Sequence, residues 1–297
     1  MAAVRLHDRG TQVLVGVLLA TAIGLQAARE RVAPPAAEIA PVLWLQSTAT
    51  ARRLALSFTD LAADVYWMRA VVHYGSERRA PDAPGRYALL YPLLDLTTTL
   101  DPHFDVAARL GAIFLSEGHP GGPGRPDQAL ALLEKGLKTD PDRWQYRHDI
   151  GFVYYWWLKD YPEAARQFDL AGQLPDAPKW LRTMAALTLT KGGDRAGARQ
   201  LWNELYTTAD VDWLRDAAAY RLRQLAALDD IDALSQIVAR TRGRVASLDW
   251  NTLVRAGVLP APPTDPLGVP YLLTAEGVVT VDPSSPLSPL PTFEAHQ

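Results

Sequence analysis

The chain has 297 residues, of which 48% are hydrophobic and 21% charged, a balance that fits a folded globular protein and not a disordered one. A net charge of −3 leaves no broad basic field and argues against nucleic-acid binding. The absence of cysteine excludes disulfides, thiolate metal sites, a lipidated cysteine and a cysteine nucleophile.

In chain order, the first feature is an apolar run. Arg5 and Arg9 precede a stretch from Thr11 to Ala28, whose core from Val13 to Leu25 has Thr21 as its one polar interruption. Such a segment directs a chain to a membrane. Eighteen residues rising about 1.5 Å each span roughly 27 Å, just short of the ~30 Å hydrocarbon core. We read residues 1–31 as an uncleaved signal anchor. A signal cleaved after Ala20-Thr21-Ala22 and a buried or interfacial helix are the alternatives. The flanking arginines on the two sides nearly balance, but a short tail before one span and a long domain places that tail in the cytoplasm. The remainder is then expected on the periplasmic side of a bacterial inner membrane. Residues 32–42, rich in Pro and Ala, predict an extended spacer.

Residues 43–242 carry a period. Ala129, Ala164, Ala198 and Ala233 stand 35, 34 and 35 residues apart, and four residues after each comes a large apolar side chain: Leu133, Phe168, Trp202 and Ile237. A two-helix hairpin cannot bury its apolar face alone, so it stacks on a neighbour, and close crossing needs a side chain no larger than a methyl group. The pattern predicts an all-α array of helical hairpins. Leu90, Leu94 and Asp101-Pro102 repeat the offsets of Ala129, Leu133 and Asp140-Pro141, which predicts a degenerate first hairpin beginning with a helix from Leu56 to Tyr74. Phe104 to Glu117 forms the next helix, with Gly111 and Phe114 spaced like Gly151 and Tyr154, and the Gly/Pro-rich stretch from Gly118 to Arg125 makes a loop.

These residues resemble the tetratricopeptide repeat family. Its slots are filled by Ile150, Gly151, Tyr154, Ala164, Phe168, Ala171 and Pro175, with one extra residue in the turn and the proline one position early. Thr139-Asp140-Pro141 closes the preceding unit as the family does. The resemblance covers residues 56–242 and implies a solenoid of four to five hairpins that binds proteins without catalysis. It also implies a groove lined from the first helix of each unit, three residues before the Gly and one, four and five after it. Around Gly151 these positions are His148, Phe152, Tyr155 and Trp156, with Trp180 and Thr183 on the next unit. The aromatic density from Trp144 to Tyr161 exceeds what one buried stripe needs, which suggests a second surface. Packing against neighbouring helices or the 118–125 loop is the alternative.

Past Gly243 the character changes. A short helix from Leu248 to Ala256, a Pro-rich stretch to Tyr271 and two short strands up to Val281 make a small appendage over residues 243–282. Thr264 to Tyr271 is similar to the Asp-Pro-Trp-Gly-Asn-Pro-Tyr stretch of major pseudopilins but lacks its Trp and Asn, and turn chemistry alone yields such a sequence. The Pro/Ser-rich tail, 283–297, is expected to be disordered.

Candidate chemistry is sparse. The six histidines lack metal-ligand spacing, and no phosphate loop follows a strand. Arg147, His148 and Asp149 read as polar side chains that face solvent, because neighbours on a helix point apart. Asp229, Asp230 and Asp232 read as the N-cap and first-turn charge of a helix opening before Ala233. No metal and no cofactor are expected. The reading is a membrane-tethered, non-catalytic scaffold or adaptor that binds a protein or peptide partner in the cell envelope. A structural subunit of a larger membrane or secretion complex is the runner-up, and a ligand-binding receptor or an enzyme is the reading from another class.

Overall fold

The computed structural model describes residues 13–25, 28, 50, 53, 55–80, 85–244 and 247–293. The chain divides into two compact units, Met1–Gln46 and Ser47–Gln297. In the first, residues 13–25 are helical with exposed side chains. Among the described residues no helix is long and apolar enough to cross a membrane. The span expected from Thr11 to Ala28 includes positions outside the described residues, as does the whole 32–42 spacer.

The second unit is mostly helical. Its order is α1 (Thr59–Arg79), α2 (Leu90–Leu100), α3 (Asp105–Ser116), α4 (Pro126–Thr139), α5 (Trp144–Val153), α6 (Tyr161–Gly172), α7 (Trp180–Lys191), α8 (Arg195–Thr208), α9 (Asp212–Thr241) and α10 (Trp250–Arg255). From α1 to α9 each helix packs chiefly on the one before and the one after it, which is solenoid packing.

The repeat signature explains that packing. Ala129, Ala164 and Ala198 each stand fourth in their helix and are wholly buried, as are Leu133, Phe168, Ala171 and Trp202 nearby. Gly151 sits where α5 crosses α6: a Cβ there would lie 2.6 Å from the Phe168 ring and 3.1 Å from the Ala164 carbonyl oxygen. Gly111 meets Leu94 in the same way, at 2.8 Å. Starts are set by Pro in the first turn of α4 and α6, and by Asp160 and Asp194, whose carboxylates accept from the Glu163 and Gly197 amides. The extra turn residue is absorbed between α5 and α6 as a π-helical turn, Tyr154–Leu158, closed by Lys159 at φ 56°. A π turn holds one residue more than an α turn, so Ala164 and Phe168 keep their register against Gly151.

The fourth unit departs from expectation. The stretch around Ala233 does not open a second helix; it lies inside the single 30-residue α9, and Ala233 is exposed. The physical reason is that Asp212 to Thr241 holds no Gly or Pro and many strong helix formers, so nothing breaks the chain between the two expected helices. The acidic group does not cap a helix either. Asp229 and Asp232 pair with Arg195 and Arg199 at the start of α8, and Asp230 accepts from the Tyr271 hydroxyl at 3.0 Å.

The C-terminal half of α9 carries the appendage. Ala227, Leu234 and Val238 bury Leu253 of α10, Tyr271, Val279 and Leu287. Strands β1 (Leu272–Leu273) and β2 (Val279–Thr280) pair antiparallel, Leu272 opposite Thr280. The tail through Phe293 is ordered and docked, contrary to its composition. Gln224 donates to the carbonyls of Leu287 at 2.8 Å and Pro289 at 3.0 Å, while Leu290 and Phe293 pack against the array core.

Asp265 organises the Asp-Pro-Leu-Gly-Val-Pro turn. Its buried carboxylate accepts from the Leu267 and Val269 amides at 2.8 and 2.9 Å and from Ser285 Oγ at 2.5 Å, which ties the turn to the tail. Burial pushes its pKa up, but the bonds from Ser285, Val269 and Leu267 outweigh burial and hold it below the ordinary carboxylate value. A folded-state pKa below the unfolded one adds stability that is present above about pH 4 and lost as pH falls through the folded value. Asp265→Asn is therefore expected to flatten the acid limb of stability, measured as the urea midpoint against pH. An unchanged acid limb would remove Asp265 from the account.

Candidate functional site

Helices α5 and α7 are the first helices of consecutive hairpins, and a pocket of about 420 Å³ opens on their faces. His148, Phe152, Tyr155 and Trp156 line one wall and Met184, Leu187 and Thr188 of α7 another, with Phe168 and Lys191 completing it. All four positions that the family resemblance marks around Gly151 thus meet on one cavity.

Local structure explains the arrangement. His148, Phe152 and Tyr155 fall on one face at helical spacing, and the π turn then carries Tyr155 and Trp156 out over the cavity. Phe152 contacts the rings of His148, Trp156 and Trp157 at 6.2, 6.1 and 5.7 Å. Trp156 is 51% exposed, whereas Tyr155 is half-buried, packs on the core and accepts from Lys191 Nζ at 3.0 Å.

The two residues expected on the next unit separate. Trp180 does not line the cavity, but its exposed ring stands edge-on to His148 at 5.8 Å and to Trp144 at 6.3 Å, so it extends the same aromatic surface. Thr183 is outside the lining and half-buried, and its hydroxyl has no hydrogen-bond partner among the described residues.

His148 and Asp149 are not merely surface residues. His148 Nδ1 lies 2.8 Å from Asp149 Oδ1, and Arg109 of α3 donates through Nε to Asp149 Oδ2 at 2.5 Å. The arginine from the preceding hairpin draws the short aspartate side chain across, and this brings sequence neighbours into contact. The chain Arg109, Asp149, His148 orients the imidazole at the cavity wall.

The electrostatics are one-sided. Among the described residues no carboxylate lines the cavity, whereas the Lys191 ammonium sits 4.7 Å over the Tyr155 ring and Lys159 sits 5.5 Å over the Trp156 ring. The site thus offers aromatic and thioether surface with cations at its edge. Among the described residues no group of three His, Asp or Glu side chains could hold a metal ion. The α7 wall was open to discovery from sequence: Met184, Leu187, Thr188 and Lys191 fall at i, i+3, i+4 and i+7, one face of a helix.

No protein-family model, curated protein or solved structure matches this chain.

Proposed function

We propose that this chain is a non-catalytic, tetratricopeptide-like scaffold of the bacterial cell envelope that captures a protein partner in the groove between α5 and α7. The observation that carries the reading is the convergence of His148, Phe152, Tyr155 and Trp156 on one cavity that has aromatic walls and, among the described residues, no acid in its lining. Such a site takes a bulky apolar side chain, and Lys191 with Lys159 favours an acidic residue beside it. The partner is accordingly an extended acidic and apolar peptide segment.

Peptides pairing Phe or Leu with Asp or Glu test this by fluorescence titration. Trp156→Ala is expected to weaken their binding by about 2 kcal/mol, roughly thirtyfold, as for an interface anchor. The melting temperature should stay in place, because an exposed ring contributes little to the core. Equal binding of peptides carrying Lys in place of the acid, or a large fall in melting temperature, would sink the groove assignment.

The membrane tether is part of the proposal. Its support is the apolar run from Val13 to Leu25, which lacks a good cleavage site beyond it. The mature protein is expected to retain Met1 to Ala28 and to sediment with inner membranes, with the repeats on the periplasmic side. A mature N-terminus at Ile23 or near Arg29, read by intact mass, would convert the anchor into a removed signal.

A further inference from the structure

Helix α1 has an apolar face with nothing on it among the described residues. Ala63, Tyr66, Ala70 and Tyr74 form the stripe that α1 buries within the array. On the opposite side Leu61, Val65, Met68 and Val72 form a second stripe, and Leu61, Met68 and Val72 are 61%, 57% and 69% exposed. Leu56 and Phe58, just before the helix, are exposed as well. A helix with apolar stripes on two opposite sides needs a partner on each, and the end helix of a solenoid otherwise needs a polar outer face to stay in solution. The opposite end of this array meets that need: the appendage and tail cover the C-terminal half of α9.

Spacing and charge indicate what covers α1. The intervals of four, three and four residues from Leu61 to Val72 are those of a helix-pairing seam. The first turns carry Asp60 and Asp64, and the last turn carries Arg78 and Arg79 beside the one acid Glu77; Arg78 pairs with Glu117, and Arg79 falls on the side of the Leu61 to Val72 stripe. We propose that α1 packs antiparallel on α1 of a second copy of this chain, about a twofold axis passing near Met68. That arrangement sets the acidic end of each helix beside the basic end of the other, twice, as an isologous contact requires. A parallel pair would set like charges level with each other.

The chain's lack of cysteine makes the test direct. Full-length Met68→Cys and Leu61→Cys, purified in mild detergent and oxidised, are compared by non-reducing electrophoresis. About the proposed axis residue 68 meets its own copy, whereas residue 61 lies roughly 21 Å from its copy along the pair. A disulfide-linked dimer is expected for Met68→Cys and not for Leu61→Cys. Met68→Glu in the otherwise native chain is expected to sediment as a monomer where the parent is a dimer, with an unchanged helical circular dichroism spectrum. Cross-linking at both positions would overturn the antiparallel pairing. A dimer that survives Met68→Glu would place self-association elsewhere. A monomer whose residue 68 resists thiol labelling would mean that the same chain covers the face, and one protected only by phosphatidylglycerol vesicles would mean that a bilayer does. Each of these results overturns the proposal.

Discussion

Trp202→Ala is expected to lower the free energy of unfolding by about 3 to 5 kcal/mol, among the largest losses available to a single substitution in this array. Trp202 is 1% exposed and is the largest fully buried side chain. It belongs to a cluster with Ala164, Phe168, Ala185, Ala198 and Leu225, which joins the hairpins α5–α6 and α7–α8 to α9. Its indole Nε1 has no hydrogen-bond partner among the described residues, so packing alone supplies its contribution. Trp202→Phe should consequently recover most of the loss, because it restores an aromatic ring and leaves no donor stranded. Urea midpoints of the two variants decide the matter, and equal midpoints for Ala and Phe would show that the cluster is not held through this ring.

Removing the tail after Asp282 is the second large effect. Composition says that Pro and Ser segments stay outside a core, yet Leu287 is fully buried and Ser285 closes on Asp265. Truncation uncovers the pocket that Leu287 fills, at about 1.5 to 3 kcal/mol. It also takes from the buried Gln224 amide two of its acceptors, the Leu287 and Pro289 carbonyls, and leaves it the Tyr220 hydroxyl at 3.1 Å, for about 1 kcal/mol more. The truncated chain should melt markedly lower, and Gln224→Leu should return a small part of the loss by removing an amide left with one of its acceptors. A truncation that melts like the parent would mean that the tail only rests on α9.

These two regions show what the sequence made legible. The array was readable because its constraint is local and periodic: Ala129, Ala164 and Ala198 are small for a reason that recurs with each hairpin, and Gly151 is a glycine because Phe168 leaves no room for a Cβ. Four cavity-lining residues, His148, Phe152, Tyr155 and Trp156, followed from the same register. The fourth unit misled because the spacing of Ala233 continued the period while the breaker that would have made a hairpin was missing. The tail misled for another reason. Its order comes from Gln224, more than sixty residues away, from Asp265 and from the core that buries Leu287, and composition carries no trace of partners in other elements. The contact of His148 with Asp149 was hidden likewise, since it depends on Arg109 of another hairpin.

The uninterrupted α9 has a mechanical consequence. Leu225 and Leu228 belong to the array core, while Ala227 and Leu234 belong to the core beneath the appendage, so adjacent turns of one rod are shared by both. Repeat arrays ordinarily fray from their ends, one hairpin at a time. Here the last hairpin cannot peel away without pulling the rod out of two cores at once. The appendage thus acts as a latch that makes the C-terminal end the slowest part of the array to open, and hydrogen exchange along α9 should report a single protected block and not a gradient.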